Sequence, residues 1–101
     1  MRVLLVCSEK EPRIVNVPHE LPELQRLIGG MIEVVEPFDD DIALVCDEKG
    51  RSNGKPVNRV INDHMNICGD FFLCGYGETS LEDISEDKVF KGSTPKLVEN
   101  R

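Results

Sequence analysis

Apolar residues along this chain fall into short dense runs separated by charged turns, a rhythm that favours strands over long helices. Val3 to Ser8 is a near-continuous β-rich run, Glu9-Lys10-Glu11-Pro12 reads as a turn, and Arg13 to Val17 forms a second run, so the pair predicts a β-hairpin. A helix follows. Pro22 suits its first turn, Leu21, Leu24, Leu27 and Ile28 recur at helical spacing on one face, and Gly29-Gly30 provides a left-handed stop.

Strand character resumes from Met31 to Glu36, ends at Pro37, and returns from Ile42 to Cys46, predicting a second hairpin around Pro37-Phe38-Asp39-Asp40-Asp41. From Arg51 to Asn66 no period is convincing, and Val57, Val60, Ile61, Met65 and Ile67 are the anchors of what reads as a long loop. Phe71 to Cys74, set between Gly69 and Gly75-Tyr76-Gly77, predicts a central strand. Thr79 to Lys91 carries Leu81, Ile84, Val89 and Phe90 behind the possible caps Ser80 and Ser85, and is expected to hold a short helix. The tail from Gly92 is expected to be peripheral.

The order β-β-α-β-β-loop-β-α describes one α+β domain over residues 1–101, a mostly antiparallel sheet of about five strands packed with one or two short helices. The strand runs alternate poorly, which implies a sheet covered on both faces by helices, by the long loop or by another subunit; a homodimer is one way to provide that cover.

Composition narrows the function classes. The chain is 40% hydrophobic but only 5% aromatic and has no Trp, so its core is mainly aliphatic. Its net charge of −7 argues against general duplex nucleic-acid binding, where affinity comes from neutralised phosphates. The apolar run at the N-terminus is too short for a signal-peptide core or a membrane span, and the protein is expected to be cytoplasmic. The four cysteines are then expected to be reduced, with Cys7, Cys46 and Cys74 in the core and Cys68 more exposed. They lack the short C-x₂₋₄-C spacing of structural zinc sites, and the acidic stretch near Asp39 lacks calcium-loop alternation, so neither metal nor cofactor is expected.

Against this acidic background one stretch is basic. Lys49, Arg51, Lys55 and Arg59, four of the 12 Lys/Arg, are interleaved with Gly50, Ser52, Asn53, Gly54, Pro56 and Asn58, and the stretch includes no carboxylate. Backbone N–H groups freed by glycine, guanidinium forks and Asn amides together suit an anionic, nucleotide-like ligand, although the P-loop spacing is absent. Asn58 and Arg59 lead as ligand-binding candidates, followed by Lys55, Lys49 and Arg51, with Tyr76 as a stacking or lid residue. The plain alternative is a solvated turn.

A second class of reading makes the acidic segment Glu36, Asp39, Asp40 and Asp41 a contact surface for a protein partner. A third, a nucleotide-acting enzyme using Asp63 and His64, lacks an oxyanion or nucleophile motif and is least supported.

The set Leu24-Gln25-x-Leu27-Ile28-Gly29-Gly30-Met31-Ile32-Glu33-Val34-Val35, Ala43 to Gly50, Gly54-Lys55-Pro56-Val57-Asn58-Arg59 and Gly69 to Gly75 resembles a small domain family of unknown function, common on bacterial phages, plasmids and other mobile elements. The resemblance spans roughly residues 3 to 91. Lys55 before Pro56 and Cys68 before Gly69 depart from its pattern. The resemblance implies a small non-enzymatic binding protein, in the setting of counter-defence or regulation, that sequesters a nucleotide signal or occupies a protein.

Overall fold

The structure, a computed structural model, describes residues 1–38, 41–63, 65–77, 80–84 and the strand at 97–99. Its elements are β1 (Arg2–Val6), β2 (Arg13–Asn16), α1 (Leu21–Ile28), β3 (Ile32–Val35), β4 (Ile42–Asp47), β5 (Val57–Ile61), β6 (Met65–Cys68), β7 (Phe71–Tyr76), β8 (Leu81–Glu82) and β9 (Leu97–Glu99). The chain is mostly antiparallel sheet with one short helix among the described residues.

The larger sheet has the order β2-β1-β7-β4-β3, and β8 joins it on β7. Phe71 to Cys74 forms the central strand as its composition predicts, with Leu73 opposite Leu4 on one side and Leu44 on the other. A second sheet, β6-β5-β9, takes β5 and β6 from the segment expected to be a loop and β9 from the tail. That expectation is corrected. Val57–Ile61 and Met65–Cys68 form a hairpin whose turn uses left-handed backbone at Asn62 (φ 53) and Asp63 (φ 65), a conformation that Asn and Asp tolerate. Periodicity missed it because β5 carries a bulge: Val57 faces Cys68 while Arg59 faces Ile67, so Asn58 is an extra residue that breaks the two-residue alternation.

These elements stack as helix, large sheet and small sheet. One apolar layer joins Val3, Leu5, Ala43, Val45, Phe72 and Cys74 to Leu24 and Ile28 of α1. The other joins Leu4, Val6, Ile42, Leu44, Phe71 and Leu73 to Ile61 and Ile67 of the small sheet and to Ile84. Alternate residues of β1, β4 and β7 therefore bury on opposite faces, which is why their sequence reads as continuous apolar runs. The cover lies within one chain.

The helix is as short as its sequence implies. Pro22 stands in its first turn, and Gly29 (φ 82) ends it, with the Gly29 N–H bonded to the Gln25 carbonyl. Leu21 is not on the buried face: it is 54% exposed, because the helix axis turns only Leu24 and Ile28 fully onto the sheet. In the expected second helix, Leu81–Glu82 is instead a strand pairing with Gly75 and Tyr76. Residues 85–91 of that expectation lie outside the described residues.

Candidate functional site

The basic stretch splits into an interior half and an exposed half. Asn58 and Arg59 are 2% and 6% exposed. The bulge turns Asn58 inward, where its Nδ2 donates to the Val6 carbonyl at 2.8 Å and the Gly69 carbonyl at 3.0 Å. Arg59 donates from one terminal nitrogen to the Asn58 Oδ1 (2.8 Å) and carbonyl (3.0 Å), and from the other to the Lys10 carbonyl at 2.8 Å. The donors expected to grip a ligand thus tie the small sheet to the end of β1, to the turn before β7 and to the β1–β2 turn. A cavity of about 180 Å³ lies beside Arg59, but Glu9 and Glu11 share its wall with Lys10 and Pro12.

Lys55 is also engaged inside the fold. Its Nζ lies 2.7 Å from Asp47 Oδ2 and donates to the carbonyls of Ile28 and Gly29, both at 3.2 Å. The ammonium therefore sits at the C-terminus of α1, where the helix presents unpaired carbonyls and a negative dipole end. The Asp47 side chain is 1% exposed, and its Oδ2 is the partner of the Lys55 ammonium. Oδ1 accepts from the Lys49 N–H at 2.8 Å. The Lys55 ammonium, and next the Lys49 N–H, hold the Asp47 carboxyl below the usual carboxylate range. Gly30 permits this arrangement, since a Cβ there would stand 2.7 Å from Asp47 Oδ2.

Lys49 and Arg51 are exposed, and among the described residues neither forms an ion pair. Tyr76 is not brought near Asn58 and Arg59. It lies at the far end of β7 on the helix side, half-buried, with its N–H bonded to the Asp41 carbonyl. Glu36 and Asp41 are exposed, Asp41 with φ 54, and Asp39, Asp40 and His64 fall outside the described residues. The Asn62 amide donates to the Pro37 carbonyl at 2.7 Å, so the acidic connection is tied to the β5–β6 turn.

A groove that the sequence does not reveal connects these parts. Its volume is about 250 Å³, and it runs between the β3–β4 edge of the large sheet and β6 of the small one. Val35, Cys46, Met65, Ile67 and Cys68 supply its apolar and sulfur lining, with Glu33 and Glu48 among its carboxylates and Arg51 at one end. Both β3 and β6 end their sheets, so among the described residues each presents an unpaired strand edge beside the groove. Residues from β3, the 48–51 turn and β6 meet here through strand order alone, which explains why no sequence spacing announces the site.

The thiols are buried differently from expectation. Cys68 is buried along with Cys46 and Cys74, whereas Cys7 is only half-buried, and all four are free. Burial pushes the Cys46 thiol up to about 11, helped by the charges of Glu33 and Asp47. Burial likewise pushes Cys74 up to about 12. Both are poor nucleophiles at neutral pH. Among the described residues no three His, Cys, Asp or Glu side chains group so as to hold a metal ion, and no helix is long and apolar enough to cross a membrane.

No curated protein and no solved structure matches this chain. A family model described as a domain of unknown function, DUF3846, matches residues 1–93, and the chain belongs to that family.

Proposed function

We propose that this protein is a non-enzymatic interaction module whose groove between β3 and β6 receives a basic segment of a partner protein. The observation that carries this reading is the placement of the exposed carboxylates Glu33 and Glu48 in the groove, with exposed Glu36 following β3, next to two strand edges that are unpaired among the described residues. At about 250 Å³ the groove falls below the roughly 300–1,000 Å³ of most small-molecule sites and suits a single long side chain. A Lys or Arg stem would lie along Val35, Met65 and Ile67, with its charge toward Glu33.

Selection of peptides from a random display library on the intact protein tests this. Recovered sequences should be enriched in Lys and Arg, and Glu33→Lys combined with Glu48→Lys should abolish that enrichment. Recovery with no basic bias, or a bias that survives the double reversal, overturns the reading.

A second reading, sequestration of a small nucleotide-like anion, rests on Lys49 and Arg51, the cations of the 47–59 stretch that are exposed and, among the described residues, without ion pairs. Asn58, Arg59 and Lys55 support it less, since their donors already serve backbone carbonyls. Calorimetric titration with nucleotides checks it. Binding that survives Lys49→Ala with Arg51→Ala counts against that surface.

A further inference from the structure

Resting on the reading of the groove as a docking site, we infer that the partner segment binds as an added β-strand on the outer edge of β3, with apolar and basic side chains in alternation. The hydrogen-bond phase of β3 supports this. The Glu48 N–H bonds to the Met31 carbonyl, and Met31 lies opposite Glu48 by the register that sets Ile32 against Asp47. In an antiparallel ladder bonded and non-bonded pairs alternate, so Glu33 and Val35 direct their backbone groups toward β4. Ile32 and Val34 consequently direct their N–H and C=O groups outward, onto an edge that no described strand occupies.

Side chains supply the second half of the argument. Val34 is 40% exposed and Met31 60% exposed, while Ile32 packs on the helix-side cluster. Met31 also meets α1, where its sulfur accepts from the Gln25 amide at 3.3 Å. Glu33 and Val35 line the groove on the other face. A strand laid along β3 would therefore place one set of alternate side chains beside Val34 and the intervening set beside Glu33. The first set is apolar and the second is basic.

Edge strands are commonly blunted by charge or proline, and β2 follows that pattern, with Pro12 and exposed Arg13 at its start. β3 carries one charge, Glu33, but no proline, and leaves an exposed Val34 beside it. A second copy of this chain is the less suitable occupant. It would lay a second Glu33–Glu36 strip beside the first in a chain whose net charge is −7.

The test titrates the intact protein with a synthetic peptide alternating lysine and valine, and with a control alternating glutamate and valine. NMR hydrogen exchange should slow selectively at the Ile32 and Val34 amides with the lysine peptide and not with the control. Val34→Pro removes an outward N–H at a position where an edge strand tolerates proline. It should weaken binding by about tenfold, the equivalent of one backbone hydrogen bond. A lysine–valine peptide N-methylated on alternate residues, measured on the unaltered protein, gives the same comparison should the variant misfold. Tight binding with no protection at Ile32 and Val34 and no loss on N-methylation overturns strand addition and leaves the groove reading standing. Failure of the lysine peptide to bind overturns both, and self-association through β3 without peptide overturns the choice of occupant.

Discussion

The Nζ of Lys55 stands 2.7 Å from the buried Oδ2 of Asp47 and donates to the carbonyls of Ile28 and Gly29. One ammonium thereby neutralises a carboxylate at the end of β4 and closes the C-terminus of α1. Lys55→Met keeps most of the stem and removes the charge. It should lower stability by roughly 2 kcal/mol, typical of hydrogen bonds to charged groups, and speed amide exchange in the last turn of α1. Urea denaturation and hydrogen exchange measure both; an unchanged midpoint would sink the clamp.

The same pair sets an acid limit. Asp47 has its carboxyl pKa lowered from 3.8 in the folded chain, so its contribution is complete above that value and is lost as pH falls through the lower, folded value. Asp47→Asn should be less stable near neutrality yet show a shallower decline below about pH 4, where wild-type protein binds protons on unfolding. Equal acid slopes for the two proteins, measured by denaturant titration at each pH, would contradict the assignment.

Asn58 satisfies three partners at once: the carbonyls of Val6 and Gly69, and the Arg59 guanidinium. Asn58→Ala should cost roughly 1–3 kcal/mol, because these buried groups lose their partner where water cannot replace it. Arg59→Ala is expected to loosen the β1–β2 turn through the lost bond to the Lys10 carbonyl. Thermal melts of both variants without any added ligand provide the check. Wild-type melting temperatures would assign these residues to recognition instead of to the scaffold.

At high pH the thiols act in the opposite sense from Asp47. Burial raises Cys46 to about 11 and Cys74 to about 12, above the 9.0 of a free thiol. Their stabilising contribution is full below pH 9 and falls as pH rises toward those values, by up to about 1.4 kcal/mol per pH unit for each thiol. Cys74→Val should flatten the decline between pH 9 and 11 even if repacking lowers stability at neutrality. An identical slope would place the alkaline transition on other groups.

The glycine before β3 offers a steric check on the clamp. Gly30→Ala would press a methyl to 2.7 Å from Asp47 Oδ2 and displace the carboxylate from Lys55. Stability should drop by about 1–3 kcal/mol, the range for strain introduced into a packed site. In the Asp47→Asn background that penalty is expected to shrink, and a double-mutant cycle measures the coupling.

Local chemistry was readable wherever neighbours in the chain decide conformation. Pro22 and Gly29 bound the helix, Pro37 ends β3, and the paired apolar runs fold back as hairpins. The double-sided burial of the sheet was also legible, because β4 is apolar at nearly every position and must be covered on both faces. The β5–β6 hairpin was not, since the bulge at Asn58 shifts the phase of the pattern midway through the strand.

The candidate site divides in the same way. That Lys49 to Arg59 is basic follows from the residues themselves. Whether those cations meet solvent or carbonyls depends on groups far along the chain: Val6 and Gly69 for Asn58, Lys10 for Arg59, Ile28 and Asp47 for Lys55. The groove likewise exists only because strand order puts β3 at one sheet edge and folds β6 across it. Sequence patterning assigns residues to elements and faces, through forces acting over a few positions. Packing between distant elements assigns partners, and so it engaged Asn58, Arg59 and Lys55 within the fold and, among the described residues, left the acidic β3 edge unpaired.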